Sequence, residues 1–340
     1  MIPARWPRED AAGERLLVVD PRAGTLRDAR IAELPGLLRP PDLLVMNDAA
    51  TLPASLAGRG PRGEPVEARL LGELASGSFR AVLLGEGDWR QRTEDRAAPA
   101  RVEPRARLEF ADLSATVERV SRISPRLVEL RFDRSGAELW LALYRSGRPV
   151  QYAYTSGPLE LWHVQVAYAS RPWAVEMPSA GRPLRWDLLL ALRARGIRLF
   201  RVTHAAGLSS TGDPALDAAL PLPERFEIPP ETVQAVSDAH GKGGRVVAVG
   251  TSVARALEGA VAQGGALVAG SGETDLLIGP GYRPRVVDGL LTGTHEPTAS
   301  HFALLQAFAP AALLARASEH AERTGYLSHE FGDSWLVLPS

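Results

Sequence analysis

The 340-residue chain has no cysteine. That excludes disulfides, thiolate catalysis and cysteine-ligated zinc or iron–sulfur clusters. No stretch approaches the roughly 20 uninterrupted apolar residues of a membrane span. The opening MIPARWPREDAAGERLLVVD has early charges but no apolar core, so nothing in it marks a signal peptide, and a cytoplasmic protein is expected. There is no G-x-x-x-x-G-K-[ST] phosphate loop and no G-x-G-x-x-G after a first strand, so any nucleoside must be held by other means. A dominant charge is missing too. The formal net charge is −1, which lacks the global electrostatic footprint of a nucleic-acid binder. Lys242 is the only lysine, a bias that a GC-rich coding sequence accounts for.

What is present is an ordinary globular composition, 45% hydrophobic and 23% charged. The length exceeds the about 250–300 residues at which single cores stop growing, so two domains are expected. RLLVVD (15–20) and DLLVMND (42–48) read as buried strands. From 52 to 135 short alternating runs such as FRAVLLG and LVELRFD are separated by Gly, Pro and charge clusters, which predicts a small antiparallel barrel or sandwich. Beyond 138, helical and strand periods alternate. PLRWDLLLALRARG, PETVQAVSDAHGKGG and TSVARALEGAVAQ are predicted helices, while IRLFRVTH, RVVAVG, TDLLIG and VVDGLL are predicted strands. GSGETD (270–275) reads as a glycine-rich turn. The expected architecture is a discontinuous α/β domain with a mixed sheet (1–51 and 136–340), carrying an inserted antiparallel β-barrel-like domain at 52–135.

Several strands end in polar loops. VDGLLTGTHEPTASHF (287–302) gathers Thr292, Thr294, His295, Glu296, Ser300 and His301. His295 and His301 are six apart with Pro297 between them, whereas a zinc helix needs histidines at i and i+4, so no metal is expected. DLLVMNDAAT ends in Asn47-Asp48, RLFRVTHAAGLSSTGDP breaks after His204, and AVEMPSAG breaks at Pro178-Ser179-Ala180-Gly181. RVVAVG runs into TSVARALEG, where Thr251 or Ser252 is expected to cap a helix. Arg255 and Glu258 share a face of that helix, and taken locally they read as a surface ion pair. In an open α/β sheet such strand ends converge on one rim, where ligands bind.

These segments resemble the S-adenosylmethionine:tRNA ribosyltransferase-isomerases of queuosine biosynthesis. GGRVVAVGTSVARALEG (243–259) is similar to a GGRVIAVGTTSVRTLE-like stretch, and VDGLLTGTHEPTASHFALL to a DGLLTNFHLP-S-TLL-like one. FGDSWLVL (331–338) resembles a closing YGDAM-like strand, MPSAG a PTAGLHF-like loop, and THAAGLSS a HVG-G-TF-like loop. The similarity runs along essentially the whole chain. Departures include Ala49-Ala50 in place of Thr-Arg, Arg182-Pro183-Leu184 where a histidine is expected, LPERFEIP (222–229) in place of a histidine-rich stretch, and Gly293-Thr294 in place of Asn-Phe. The chain thus resembles a divergent member or paralogue.

The resemblance implies S-adenosylmethionine as co-substrate, donating its ribosyl group to a 7-aminomethyl-7-deazaguanine in tRNA and releasing adenine and methionine. It implies tRNA as partner; no metal is expected, on the histidine spacing above, and a monomer is favoured. His204 and His295 are the implied base or proton shuttle. Thr251, Ser252, Arg255, Glu258, Asp288, Gly289 and Thr292 are implied co-substrate contacts, together with Pro178, Ser179 and Gly181 of the MPSAG loop and Asn47 and Asp48. Two other readings stay open: the same donor chemistry on a different acceptor, such as a small molecule, and a non-catalytic nucleoside- or RNA-binding paralogue.

Overall fold

Nine strands form one mixed sheet in the order Gly270–Thr274, Glu224–Ile228, Arg198–His204, Leu43–Asn47, Val246–Val249, Gly289–Gly293, Ser334–Val337, Arg15–Asp20 and Thr25–Arg30. The computed structural model describes every residue except Ala12 and Thr298, and only the backbone at Ser300. Four central strands are parallel, with Leu43 beside both Arg198 and Val246, and Val247 beside Gly289. Their C-terminal ends therefore share one rim, the arrangement that places a ligand site in open α/β sheets.

Both faces of the central strands are covered, which is why they read as unbroken apolar runs. Leu43, Val45, Val246 and Ala248 face one layer, built on the helices Pro230–Gly241, Thr251–Gly264 and Ala311–Arg323. Leu44, Met46, Val247 and Val249 face the other, against the helix Trp186–Ala194 and the turn Leu34–Leu37. The period of two along each strand assigns alternate side chains to opposite layers.

The second unit is a closed six-stranded antiparallel barrel made from Ser55–Arg59, Pro65–Glu73, Phe79–Leu84, Arg107–Phe110, Ser114–Val120 and Leu127–Phe132. It closes where Gly58 lies opposite Phe110. Its apolar core continues past residue 135, because the helix Gly136–Ser146 lays Leu139, Ala142 and Leu143 onto it.

Four local expectations are corrected. GSGETD is not a turn: Gly270–Thr274 is an edge strand paired with Glu224–Ile228. Gly272 permits this, since a Cβ there would sit 2.7 Å from the Phe226 ring. TDLLIG is a strand only at Thr274. The strand within VVDGLL starts at Gly289, because the N–H groups of Val286 and Val287 donate to the buried Glu258 carboxylate instead of to a sheet neighbour. Neither Thr251 nor Ser252 caps its helix. Gly250 holds the cap position at φ +92°, a backbone state that favours glycine, and both hydroxyl residues lie in the first turn. The expected contribution of Ser300 to capping the helix Ser300–Leu305 lies outside the described side chains.

Candidate active site

A cavity of about 910 Å³ opens at the C-terminal rim of the sheet, beside the barrel. Three walls carry its chemistry.

The first wall is the start of the helix Thr251–Gly264. Thr251 and Ser252 line the cavity, and their turn presents the N–H groups that no preceding turn can satisfy. Arg255, one turn on, pairs with Glu224 at the start of the adjacent strand. Glu224 also accepts from the Gly207 N–H at 2.7 Å. Burial pushes the Glu224 carboxyl up, and the Arg255 charge opposes this only in part. Among the described residues the Arg255 Nε has no partner.

The second wall is the loop after Gly289–Gly293. His295 Nε2 lies 2.7 Å from Thr292 Oγ1, and its ring stacks on His301 with centroids 5.1 Å apart. Burial, then the neighbouring His301 and His329, hold the His295 imidazole well below its ordinary range. Burial and the Arg255 charge push His301 down to about 4. Both rings are thus neutral. Thr294 serves the fold: its N–H and hydroxyl both donate to the Asp333 carbonyl, at 2.8 and 2.9 Å.

The third wall was not anticipated from the sequence. Glu176 accepts from the Tyr152 hydroxyl and from the N–H and Oγ of Ser209, the latter two at 2.7 and 2.5 Å. Glu330 lies in the same cavity, against Tyr154. The Tyr154 ring stacks on His329 at 4.3 Å and lies parallel to Tyr152 at 6.2 Å. Among the described residues, no group of three or more His, Asp or Glu is arranged to hold a metal ion.

Of the residues chosen from the sequence, Pro178, Ser179, Thr251, Ser252, Arg255, Thr292 and His295 line this cavity. The others do not. His204 is wholly buried, with its Nε2 3.4 Å from Glu224 Oε2. Burial and the Arg255 charge keep it neutral, so it backs Glu224 rather than meeting a ligand. Asn47 spends its side-chain amide joining two strands: Oδ1 accepts from the N–H of His204 and of Ala49, and Nδ2 donates to the His204 carbonyl and to Ser252 Oγ. Asp48 accepts from Thr203 Oγ1 at 2.6 Å and faces Arg201 at 3.6 Å. Gly181 packs against Tyr168 behind the loop.

Asp288 and Gly289 sit at the opposite end of the sheet, where parallel strands begin. The Asp288 carboxylate accepts from the Val246 N–H and meets His240 Nε2 at 2.9 Å, at the end of the sheet away from the cavity. A Cβ on Gly289 would approach the Leu338 side chain to 2.5 Å, so this glycine serves close packing. Glu258 forms no pair with Arg255. It is fully buried and accepts from the N–H groups of Arg285, Val286 and Val287 and from the Tyr282 hydroxyl, fixing the loop before Gly289–Gly293.

Comparison with known proteins agrees with this frame. The family model described as queuosine biosynthesis protein matches residues 2–337. The chain belongs to that queuosine-biosynthesis family. A relative from Trichlorobacter lovleyi, named S-adenosylmethionine:tRNA ribosyltransferase-isomerase, is 32% identical over 98% of this chain and 96% of its own length. One from Acidithiobacillus ferrooxidans with the same name is 36% identical over 99% and 94%. A crystal structure of the S-adenosylmethionine tRNA ribosyltransferase from Thermotoga maritima shares the fold, with a TM-score of 0.55 at 24% identity over 99% of this chain and 96% of that one.

Within this member of the queuosine-biosynthesis family, Glu176 and Glu330 each stand directly beside a stretch already singled out, one residue before MPSAG and one before FGDSWLVL. An acid abutting a strand-end loop was the available signal. Glu224 lies within LPERFEIP, noted only as a departure, while Tyr152 and Tyr154 carried no signal, because only the meeting of barrel and sheet brings them to the rim.

Proposed function

We propose that this chain is an S-adenosylmethionine:tRNA ribosyltransferase-isomerase. It transfers and isomerises the ribosyl moiety of S-adenosylmethionine onto a 7-aminomethyl-7-deazaguanine of tRNA, giving epoxyqueuosine-tRNA, adenine and methionine. What carries the reading is end-to-end similarity to relatives of that name, at 32–36% identity. The cavity has the chemistry such a reaction asks for.

The methionine carboxylate fits the N–H groups opening the helix at Thr251–Ser252, with the Arg255 guanidinium as its second anchor. Glu224, braced by His204, fixes the direction of that guanidinium. The sulfonium acidifies the ribose C5′ protons. His295 is the proton-transfer group in this reading, since it faces the cavity while His204 does not. The Thr292 hydroxyl sets its ring orientation. Thr292 and Ser179 are placed to hold polar groups of the donor. Among the described residues no helix is long and apolar enough to cross a membrane, and a cytoplasmic location belongs to the same reading.

The test is adenine release from S-adenosylmethionine with and without precursor tRNA. Release that requires the tRNA supports the proposal; binding without turnover in its presence defeats it. The formal charge of −1 and the altered loops favour a second reading, the same donor chemistry on a small-molecule acceptor, which tRNA-independent turnover would select.

A further inference from the structure

Glu176 and Glu330 project into one cavity, where the Glu176 charge raises the cost of ionising Glu330. Among the described residues neither forms an ion pair, and Glu330 Oε1 is buried without a hydrogen-bond partner. The cations whose charge reaches the two carboxyls, Arg69 for Glu176 and Arg182 for Glu330, form no ion pair with them, although Arg182 Nη1 is itself buried without a partner among the described residues. Arg69 bonds Glu67 at 2.9 Å and lies over the Tyr152 ring, while Arg182 donates to the Arg8 carbonyl and lies over Phe331. Burial and then the Glu176 charge push the Glu330 carboxyl up to about 8, against the Tyr154 hydrogen bond and the more distant Arg182. Burial also raises Glu176, with Ser209, Tyr152 and Arg69 opposing it. Tyr152 and Tyr154 are held far above their ordinary range by burial and by these carboxylates, so both remain neutral donors. Two half-buried carboxyls with no counter-cation, set beside a flat stack of Tyr152, Tyr154 and His329, are complementary to a cation attached to a planar ring system or to a small aliphatic chain.

We propose that Glu176 and Glu330 form the subsite for a protonated primary amine, which supplies the missing positive charge on binding. The inference rests on the function proposed above, because two molecules of that reaction carry such a group: the aminomethyl substituent of the acceptor base and the α-ammonium of S-adenosylmethionine. When the cation arrives, Glu330 gives its proton to solvent and pairs as a carboxylate. If the occupant is the acceptor, Glu330 can then take one N–H proton from the ammonium, leaving a neutral amine whose lone pair is free to form the new bond, and a carboxylic acid.

The experiment is calorimetric titration of the full chain and its Glu176→Gln/Glu330→Gln variant with three probes at pH 7. These are S-adenosylmethionine, tRNA carrying the 7-aminomethyl base, and the same tRNA carrying a neutral 7-cyano base. The variant is expected to lose roughly ten- to a hundredfold in affinity for the amine-bearing occupant and nothing for the cyano tRNA. Loss confined to the aminomethyl tRNA assigns the acceptor amine, and loss confined to S-adenosylmethionine assigns the α-ammonium. Repeating the wild-type titration in two buffers of different ionisation enthalpy should show net proton release on binding that occupant, a readout that needs no variant. Wild-type protein that binds both amines with no proton release, together with a folded variant of unchanged affinities, overturns the subsite alone. Wild-type protein that binds neither ligand overturns the proposed function and the subsite with it.

Discussion

The two ends of the central sheet are equally polar in sequence and opposite in state. At the N-terminal end Asp42 is fully buried yet saturated, taking bonds from the Arg39 and Arg245 N–H groups and from the Arg245 guanidinium. Burial alone would raise its carboxyl, but those donors hold it below the usual range. Asp288 is likewise engaged by Val246 and His240. At the C-terminal rim, Glu224 and Glu330 are pushed up by burial, and among the described residues Arg255 Nε and Glu330 Oε1 lack partners. Polar groups that satisfy one another stabilise a fold, whereas buried groups left unsatisfied beside a cavity are arranged for something that arrives from outside.

That contrast can be broken from either end. The largest effect is expected from His295→Ala, which should slow adenine release by about 10²–10⁴-fold if the imidazole moves a proton. A rate within a fewfold of wild type would reduce it to a wall of the cavity. Next, Asp42→Ala should lower unfolding free energy by about 3–5 kcal/mol, because the Arg245 guanidinium is left unpaired. Denaturant melts would measure this, and turnover per folded molecule should be unchanged. Arg255→Ala should weaken S-adenosylmethionine binding by roughly ten- to a hundredfold in calorimetry, with Asp288→Ala as the control that leaves affinity alone.

The smallest effect is a pH slope. A carboxyl raised from 4.5 to about 8 binds more protons folded than unfolded between those values, so its contribution to stability is present at low pH and fades as pH rises toward 8. Ligand-free wild-type protein should therefore lose more melting temperature between pH 5 and pH 8 than Glu330→Gln does. Equal slopes would place Glu330 in a more solvated setting.

Much of the frame was legible in the chain. The strand Arg15–Asp20 coincides with an apolar run and Leu127–Phe132 with an alternating one, and the segment from 52 to 135 closes as a barrel, because period and turn residues are local properties. Where the reading failed, the reason was tertiary. The strand Gly270–Thr274 has almost no apolar residues and exists because Glu224–Ile228 offers an edge. Glu258 looked like a surface partner of Arg255, yet burial and three backbone N–H donors turned it inward. His204 looked catalytic at a strand end, but it lies beneath Glu224.

The polar stretch VDGLLTGTHEPTASHF shows the division most clearly. By itself the sequence determined that a strand ends there in a loop unsuited to a zinc helix, since residue spacing and a proline are local constraints. Only the tertiary structure decided which end of the sheet each residue occupies. Asp288 is locked to His240 at one edge, and His295 faces the cavity at the other. Six residues of extended chain separate polar groups that the sequence shows as neighbours, and the parallel direction of the strands puts their two surroundings at opposite ends of the sheet.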